Sequence, residues 1–484
     1  GGELGATRAG VTGEAPSDVL WHYNLSARHL DKLCERVDTF SVSGDGERLV
    51  VRHRDDTIVV PSSHKVDDDD PAYIRVDLTR LRRTVNPRAE WRQMFDENGR
   101  LMASHYWRED MNGVDWDSVL NRYRPLVDLC HVVDDLHDIL WETVAELNTS
   151  HSYVSASGAA GDSDMRAGLL GADVSSGNDG AKVVRVIPGE SSDPRAWSPL
   201  RAAGVAVTEG DVIVAVDGRK VGADGNLGEL LEGSAGRVVE LTVRRGENER
   251  QVAVVPMADE APLRYHDWVA SRRRYVEEHS GGRLGYLHVP DMVSDGWAEL
   301  HRQIGEATRH EGVIADVRFN HGGHTSQLVV ERLARRVVGW DYSRWYATAD
   351  TYPQNAVRGP IVMVTNQWAG SDGDIVAAAT QAMGYAKVIG ERSWGGVVGI
   401  DGRFDLVDGT SVTQPRYAGW YGSYGWGVEN HGVDPDIVVT VSPEDWEADC
   451  DVQLDAAIAE CLRQLDDKPA ATAPELPGPA FDRC

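Results

Sequence analysis

The stretch from residue 361 to residue 379 constrains the fold more than any other part of the 484-residue chain. Residues 361–364 are a short, wholly apolar run typical of a buried strand, and residues 374–379 favour a helix. Between them lies Gly370-Ser371, a turn-forming pair. The pattern predicts a strand, a sharp turn and a helix in immediate succession, with Ser371 on the bend.

Other short apolar runs flank this unit, and helical patterns lie between the first three of them. Strands separated by amphipathic helices are typical of a parallel sheet covered by helices. The sequence therefore predicts a parallel α/β layer over residues 261–465. The predicted strands are 284–289, 313–318, 361–364 and 388–390, and the predicted helices are 297–308 and 326–338.

Ser371 is the first candidate for chemistry. The N–H groups at a helix N-terminus stabilise developing negative charge, as an attacking serine requires. A second interpretation stays open at this point. Ser371 would then cap the helix, and the carboxylates of Asp372 and Asp374 would complement the helix dipole.

A serine nucleophile needs a base, and the base needs a group that orients it. His151 follows a predicted helix over residues 132–147, and Glu429 lies in a loop over residues 427–436 that contains glycine and proline. A lone histidine is more often a surface residue or a hydrogen-bonded core residue. Sequence spacing alone does not show that Ser371, His151 and Glu429 meet.

Several separated segments resemble the tricorn protease family, and they occur in that family's order. The resemblance extends from Thr84 to Leu465. The segments similar to the family's catalytic blocks are 146–151, 369–374 and 428–430, and the similar flanking segments are 86–92, 113–116 and 394–399.

The resemblance implies a serine peptidase, a hydrolase that works through a catalytic tetrad. It assigns Ser371 as the nucleophile and His151 as the general base. Ser150 would be the hydroxyl that bridges the histidine to the carboxylate of Glu429. In physical terms, Glu429 would orient Ser150, and Ser150 would fix the tautomer of His151. His151 would then move the proton of Ser371 to the leaving amine.

The resemblance also implies two oxyanion donors and an acidic residue in the first substrate pocket. The donors are the backbone N–H of Asp372 and that of Gly323. Gly322 is a near-equal alternative to Gly323, and an ordinary turn is the simpler explanation for the Gly-Gly pair. Asp341 matches the pocket position and would favour Arg or Lys before the cut, with a surface carboxylate as its alternative.

Carboxy-terminal processing peptidases are a competing family, because they share a similar nucleophile turn and a PDZ domain. They use a serine–lysine dyad, and their lysine would fall within residues 393–397. No lysine occurs there, and the nearest one, Lys387, begins a predicted strand. A catalytic serine with a histidine as its base is therefore the better interpretation.

Composition narrows the range of partners and cofactors. Acidic residues outnumber basic ones 77 to 49, and the formal net charge of −28 disfavours nucleic acid and anionic membrane surfaces as partners. The 5 cysteines form no C-x-x-C pair, so neither a disulfide framework nor a metal site is predicted, and no cofactor is expected. No membrane-length run or apolar leader occurs, so a cytoplasmic location is the default expectation. A chain that opens at Gly1 without methionine is also compatible with a removed leader.

Composition and resemblance together predict a multidomain chain. Strand signals before residue 84 are similar to partial β-propeller material, with a small independent sheet as the alternative. A small-residue linker at 156–161 precedes patterns similar to a PDZ domain, and the α/β domain resembles the crotonase and ClpP type of fold. The predicted segments are 1–84 (linker and propeller blade material), 85–160 (helical subdomain carrying Ser150 and His151), 161–260 (PDZ domain), 261–465 (α/β serine peptidase domain) and 466–484 (disordered tail).

Finer patterns predict local elements within these segments. Residues 1–26 show no periodicity and are predicted to be a loop. Residues 40–52 are predicted to form two strands joined by a turn at Asp45-Gly46, with a third strand at 57–61. A helix over residues 116–123 is predicted to end or kink at Pro125.

The favoured function is a serine peptidase that acts on short peptides. By resemblance it forms a homo-oligomer, a hexameric ring. The alternative is a catalytically weak or inactive PDZ-containing scaffold that binds peptide termini. The complete tetrad and both candidate oxyanion segments count against the scaffold.

Overall fold

The structure is a computed structural model that describes residues 18–476, except residues 55, 83, 158–164 and 223–225. The chain divides into two compact units, Gly1–Glu90 and Trp91–Cys484. Within the described residues, no helix combines the length and the apolarity that crossing a bilayer requires.

The first unit is built from antiparallel strands. They form one hairpin, β1 (Asp18–Asn24) and β2 (His29–Val37), and one four-stranded meander, β3 (Thr39–Val42), β4 (Arg48–His53), β5 (Asp56–Pro61) and β6 (Ile74–Val76). A short 3₁₀ helix, Leu78–Arg80, follows. Alternate apolar side chains on these strands form a small core of Leu33, Val37, Leu49, Val51 and Val60.

The structure confirms one local prediction in this unit and corrects another. The turn at Asp45-Gly46 is present, with φ of 77° at Gly46. The predicted loop over residues 1–26 is wrong from residue 18 onward, because β1 pairs with β2 along its length. Only Val19 is buried along β1, so the strand carries almost no alternating apolar pattern in the sequence. Residues 1–17 lie outside the described residues.

Three helices follow, α1 (Pro87–His105), α2 (Trp116–Val127) and α3 (Val133–Ala145), with a 3₁₀ helix, Met111–Gly113, before α2. The carboxylate of Asp115 caps α2 by accepting the Ser118 N–H at 3.0 Å. The predicted helix over 116–123 is confirmed, but Pro125 does not end it, since α2 continues to Val127. Fully buried side chains join the helices in one core: Met94, Phe95, Met102, Leu136 and Leu140.

The segment with PDZ patterns forms an antiparallel sheet. Its strands are β8 (Ala172–Gly177), β9 (Gly180–Val186), β10 (Val212–Val216), β11 (Arg219–Lys220), β12 (Val239–Arg245) and β13 (Asn248–Val254), in the order β13-β12-β10-β9-β8 with β11 beside β10. The short two-residue strand β7 (Val154–Ser155) precedes this sheet in the chain, and a 3₁₀ helix (Pro199–Arg201) and α4 (Leu227–Leu230) lie within the segment. Most of the predicted linker at 156–161 lies outside the described residues.

The remaining elements build the predicted α/β layer. The helices are α5 (Ala261–His279), α6 (Ser294–Ala307), α7 (Ser326–Leu333), α8 (Asp372–Met383), α9 (Pro443–Glu447) and α10 (Val452–Asp467). The strands of the main sheet are β14 (Leu284–His288), β15 (Gly312–Asp316), β18 (Ile361–Thr365), β19 (Ala386–Gly390) and β23 (Ile437–Val438), all parallel and in that spatial order. Short antiparallel pairs lie outside it: β16 (Gly339–Asp341) with β17 (Asp350–Tyr352), β20 (Gly399–Asp401) with β22 (Gln414–Tyr417), and β21 (Ser411–Val412) with β7.

Burial on both faces explains why the central strands read as continuous apolar runs. Along β15, Val313 and Ala315 belong to the core under α6, α7 and α8, whereas Ile314 belongs to the core under α5 and α10. The predicted parallel layer is confirmed. The second predicted helix is shorter than expected, because the chain leaves α7 after Leu333 and forms the β16–β17 hairpin.

The last described residues differ from the predicted disordered tail. Helix α10 extends to Asp467, and Ala470 packs against the core that contains Leu465. The Ala471 N–H then donates to the Arg358 carbonyl O at 2.9 Å. An apolar contact and a backbone hydrogen bond therefore hold a segment whose proline-rich composition favoured disorder. Residues 477–484 lie outside the described residues.

Candidate active site

Ser371 lies on the turn between β18 and α8, so the predicted strand–turn–helix unit is confirmed. Its φ of 58° and ψ of −119° place it in a backbone region that L-residues rarely adopt, at a cost of roughly 1–3 kcal/mol. Ser371 is the residue that precedes α8, yet its side chain makes no capping hydrogen bond. The interpretation of Ser371 as a helix cap is therefore wrong, and its hydroxyl is not committed to the helix.

Glycines on two sides let this turn pack closely. A Cβ on Gly322 would lie 2.5 Å from the Ser371 Cβ, and a Cβ on Gly370 would lie 2.8 Å from the ring of Trp394. Both distances are shorter than real Cβ contacts, so only glycine fits at these positions. The Gly370 N–H donates to the Asn320 carbonyl O at 3.0 Å, which ties the serine turn to the loop that carries Gly322.

His151 follows α3 and is buried, with 8% of its surface exposed. Its Nδ1 lies 2.7 Å from the Val398 carbonyl O, which only accepts, so Nδ1 carries the proton. In the neutral ring the other nitrogen, Nε2, therefore carries the lone pair that can accept a proton. The rings of Tyr153 and Trp394 flank the imidazole edge-on, with centroids at 5.7 Å and 5.4 Å. The tautomer that a general base requires is thus set by a backbone carbonyl.

Glu429 holds two segments together through four hydrogen bonds. The Ser150 N–H donates to one carboxylate oxygen at 2.7 Å, and the Ser150 hydroxyl donates to the other at 2.9 Å. The N–H groups of Val397 and Val398 donate to that second oxygen at 2.8 Å and 3.0 Å. Glu429 therefore fixes the backbone of Val398, the residue whose carbonyl contacts His151.

The arrangement differs from the expected bridge in one respect. The Ser150–Glu429 pair is present, but the Nδ1 of His151 bonds to the Val398 carbonyl O and not to the Ser150 hydroxyl. The connection from Glu429 to His151 runs through the backbone of Val397 and Val398. Residue types do not indicate a hydrogen bond to a backbone carbonyl, so the sequence does not reveal this link.

Two backbone N–H groups beside Ser371 are candidates for oxyanion binding. The Gly322 N–H already donates to Asn320 Oδ1 at 2.9 Å. In contrast, neither the Gly323 N–H nor the Asp372 N–H donates a hydrogen bond within the described part of the chain. The geometry thus favours Gly323 over Gly322, since an N–H with a strong internal acceptor is not available to a ligand.

Two side chains that were not predicted to belong to the site support its loops. Asn320 is fully buried, and its amide donates to the Val289 carbonyl O at 2.8 Å while its Oδ1 accepts from Gly322. Asp374 is also fully buried and accepts from the Ser393 hydroxyl and, at 2.8 Å, from the Gly395 N–H. Burial raises the pKa of Asp374 to about 6, because these hydrogen bonds offset only part of the desolvation cost.

The sequence pattern does not reveal the contacts of the two acids in the first turn of α8. Asp374 lies in the first turn of α8, where an acid is expected to complement the helix dipole. Asp372, in the same turn, instead accepts from the Ser326 N–H at 2.8 Å and from the Ser326 hydroxyl at 2.5 Å, at the start of α7. Both carboxylates therefore make tertiary contacts that a helix pattern does not reveal.

A cavity of about 220 Å³ opens beside Ser371. The residues that line it are His151, Tyr153, Asn320, His321, Trp368, Gly370, Ser371 and Trp394. Asp341 is not among them, since it lies at the exposed end of β16. Lys387 is not among them either, and it pairs with Asp436 at 3.3 Å on β19. The structure thus brings Ser371 and His151 to one cavity, with aromatic walls.

Comparison with known proteins extends over nearly the whole chain. Three family models match it: the tricorn protease C1 domain over residues 87–145, the tricorn protease PDZ domain over 168–259, and peptidase family S41 over 283–439. Tricorn protease homolog 1 of Streptomyces coelicolor is 56% identical over 481 residues, which are 98% of this chain and 45% of that protein. Tricorn protease of Thermoplasma acidophilum is 35% identical over 454 residues, which are 94% of this chain and 42% of that protein. A crystal structure of the tricorn protease matches with a TM-score of 0.87 at 33% identity, covering 93% of this chain and 44% of that one.

The matched domains define the class as a multidomain chain with a PDZ domain and a peptidase domain of family S41. Within that class, the chain belongs to the tricorn protease family. It spans less than half the length of the relatives described above. The resemblance to this family is therefore confirmed.

Proposed function

We propose that this chain cleaves short peptides as a serine peptidase, with Ser371 as nucleophile and His151 as general base. The observation that carries the proposal is the strained, uncapped Ser371 in the same cavity as His151. Folding alone does not favour such a backbone, and strain of this kind clusters at functional sites. The two unpaired N–H groups of Gly323 and Asp372 beside the serine support the same role.

The geometry supports a two-step acyl transfer. His151 Nε2 takes the Ser371 hydroxyl proton while the Ser371 oxygen bonds to the substrate carbonyl carbon. The N–H groups of Gly323 and Asp372 donate to the resulting oxyanion. The carbon–nitrogen bond then breaks, and the leaving amine takes the proton from His151. A water molecule repeats the sequence on the acyl-enzyme, which releases the carboxylic acid and restores Ser371.

In this mechanism Ser150 and Glu429 are positioning residues. When His151 accepts the proton, its ring becomes positively charged while Nδ1–H still donates to the Val398 carbonyl O. The negative charge of Glu429 lies one peptide away from that contact and favours the charged ring. The Ser150 hydroxyl donates a further hydrogen bond to the same carboxylate.

The domain boundaries predicted from the sequence are retained as part of the proposal, apart from the disordered tail, since Ala470 and the Ala471 N–H contact other segments. The four-stranded meander of β3 to β6 has the strand number of one propeller blade, which supports blade material before residue 84. The buried parallel layer with its serine turn is compatible with the crotonase and ClpP type of fold. We also retain the homo-oligomeric ring and the cytoplasmic setting as proposals from family membership.

Cleavage of a panel of fluorogenic peptides tests the function, with Arg, Lys, Phe or Leu before the cut. We expect hydrolysis that a serine-directed phosphonate abolishes. In the same panel, the proposed role of Asp341 requires that Asp341→Asn lowers turnover of the Arg and Lys peptides and spares the Phe and Leu peptides. An equal effect on both groups, or none, would reject Asp341 as the specificity residue. Absence of hydrolysis of every peptide would reject the proposed function.

The alternative of a peptide-binding scaffold depends on the PDZ domain, and one contact disfavours it. Residues 168–171 are loosely similar to the loop with which PDZ domains capture a peptide carboxylate. The Gly171 N–H already donates to the carboxylate of Glu260 at 2.6 Å. Elsewhere in this loop, the N–H groups of Gly168 and Leu169 donate to backbone carbonyls at 2.8 Å. Arg264 donates to the second Glu260 oxygen at 2.7 Å. An internal carboxylate thus occupies the place of a ligand.

We expect the unaltered chain not to distinguish a peptide with a free C-terminal carboxylate from the same peptide with an amidated end. Glu260→Ala frees the Gly171 N–H and should create weak, carboxylate-dependent binding with a Kd near about 1 mM. Because a charge-assisted hydrogen bond is lost, unfolding should become easier by about 1.5–3 kcal/mol. Fluorescence anisotropy and thermal unfolding measure the two effects. Carboxylate-dependent binding that is equally tight in both proteins would contradict internal occupancy.

A further inference from the structure

A second cavity lies next to the pocket of Ser371 and is not explained by the chemistry above. It has a volume of about 320 Å³, and its principal lining residues are Tyr265, Trp268, His288, Pro290, Phe319 and His321. His321 lines both this cavity and the one beside Ser371. The two cavities therefore adjoin at His321, on the loop that carries the oxyanion candidates.

Most of the cavity lining is apolar or aromatic, and several of its polar groups are already paired. The hydroxyl of Tyr265 lies 3.1 Å from His288 Nδ1, and His288 Nε2 lies 2.9 Å from the Arg318 carbonyl O. Burial lowers the pKa of His288, which keeps its ring uncharged at neutral pH. Arg264, at the rim, is bound to the carboxylates of Glu260 and Asp173. A ligand for this cavity would therefore meet mainly aromatic rings.

Phe319 is the unusual wall of the cavity. Its φ is 58°, a left-handed conformation that is a clear outlier for a bulky side chain. Its ring is 42% exposed and contacts Trp268 edge-on, with centroids 6.2 Å apart. The Phe319 N–H donates to Asn366 Oδ1 at 3.0 Å, and this bond helps to hold the strained backbone. A strained backbone that exposes an aromatic ring to solvent does not stabilise the fold, and strain of this kind clusters at ligand contacts.

The distance from the reacting serine sets which part of a substrate would reach Phe319. Gly322, whose Cβ position touches Ser371, follows Phe319 by three residues. Three residues span at most about 10 Å, and an extended substrate advances at roughly 3.3–3.6 Å per residue. A substrate residue two or three positions from the cleaved bond would therefore lie over the cavity.

We propose that the cavity between Trp268 and Phe319 is a substrate subsite that takes an apolar side chain, such as leucine or phenylalanine, two or three residues from the cleaved bond. This inference rests on the proposed peptidase function of Ser371. Its support is the shared His321 wall of the two cavities, the mainly apolar lining, and the strained exposure of Phe319. The subsite makes Phe319 a specificity residue and gives the peptide a second anchor besides the cleaved bond.

Peptides that differ at one position test the subsite. The residue before the cut is kept constant, and leucine or glycine is placed two or three residues away on either side. At one of these positions we expect the leucine peptide to have a kcat/KM about tenfold or more above that of the glycine peptide. Phe319→Ala should bring that ratio close to one. Phe404→Ala is the matched control, because Phe404 is 38% exposed and lines neither cavity, and it should leave the ratio unchanged.

A second variant and a binding assay separate the possible outcomes. Phe319→Asp suits the left-handed backbone better than Phe and should disfavour the leucine peptide while the chain stays folded. Anisotropy with labelled peptides on Ser371→Ala measures binding without cleavage. Leucine-dependent binding that Phe319→Ala removes, without any cleavage by the unaltered chain, supports the subsite and rejects the peptidase. Cleavage whose leucine-to-glycine ratio is near one, or does not change in Phe319→Ala, rejects the subsite and supports the peptidase. If the chain shows no binding and no cleavage, both the subsite and the peptidase are rejected.

Discussion

Ser371→Ala is expected to lower kcat/KM for the best peptide of the panel by about 10⁴-fold or more. Removal of the hydroxyl oxygen abolishes the covalent intermediate, and only the contribution of binding and of the oxyanion donors remains. Fluorogenic hydrolysis at substrate concentrations well below KM measures the ratio directly. Mass spectrometry of the phosphonate-treated protein should show an adduct on Ser371 in the unaltered chain and none in the variant.

The strained backbone provides an independent check of the same assignment. Ser371→Gly should be as inactive as Ser371→Ala, but it should be more stable than the alanine variant by about 1 kcal/mol, because glycine tolerates a φ of 58°. Thermal unfolding measures the difference. Ser63→Ala, at an exposed serine of the first unit, is the control and should keep full activity. Near-normal hydrolysis by Ser371→Ala would show that another group is the nucleophile.

Glu429→Gln is expected to lower kcat/KM by about 10²- to 10⁴-fold, as loss of an orienting carboxylate does in related serine devices. All four groups that contact Glu429 donate hydrogen bonds to it. The NH₂ group of the glutamine amide would face one of these four donors and leave that donor without an acceptor. This loss should also cost about 1–3 kcal/mol of stability. Displacement of the Val397–Val398 peptide would then release Nδ1 of His151 from its acceptor.

Two comparisons isolate the role of Glu429. Glu444→Gln, at an exposed glutamate of α9, should retain normal activity and stability. Ser150→Ala should retain more activity than Glu429→Gln, because it leaves the contacts of Glu429 to Val397 and Val398 in place. Equal losses in Ser150→Ala and Glu429→Gln would instead indicate that Glu429 acts through the Ser150 hydroxyl alone.

Local patterns were sufficient for much of the fold. The apolar runs of β14, β15, β18 and β19 predicted a doubly covered parallel sheet, because strands that are buried on both faces contain few polar residues. Strand β1 was missed for the converse reason, since an exposed hairpin strand lacks a periodic signal. The packed segment after α10 was missed because its anchors, Ala470 and the Ala471 N–H, depend on partners elsewhere in the chain.

The candidate site shows the same division between local and distant information. Turn chemistry placed Ser371 between a strand and a helix, and the resemblance to the tricorn protease family selected His151 and Glu429 as partners. Turn signals and family motifs are both properties of short segments. The assembly of these residues depends on contacts between segments far apart in the chain. His151 is 247 positions from Val398, and Ser150 is 279 positions from Glu429.

Only the tertiary structure decided how those residues are connected. It showed that a backbone carbonyl orients His151 and that Asp341 lies outside the cavity of Ser371. It also showed that, among the described residues, the Gly322 N–H has an internal acceptor and the Gly323 N–H has none. Backbone hydrogen bonds and cavity walls are formed by chain geometry, and residue types at a given spacing do not encode them. The residues of this site are therefore readable from the sequence, whereas the path that links Glu429 to His151 exists only in the folded chain.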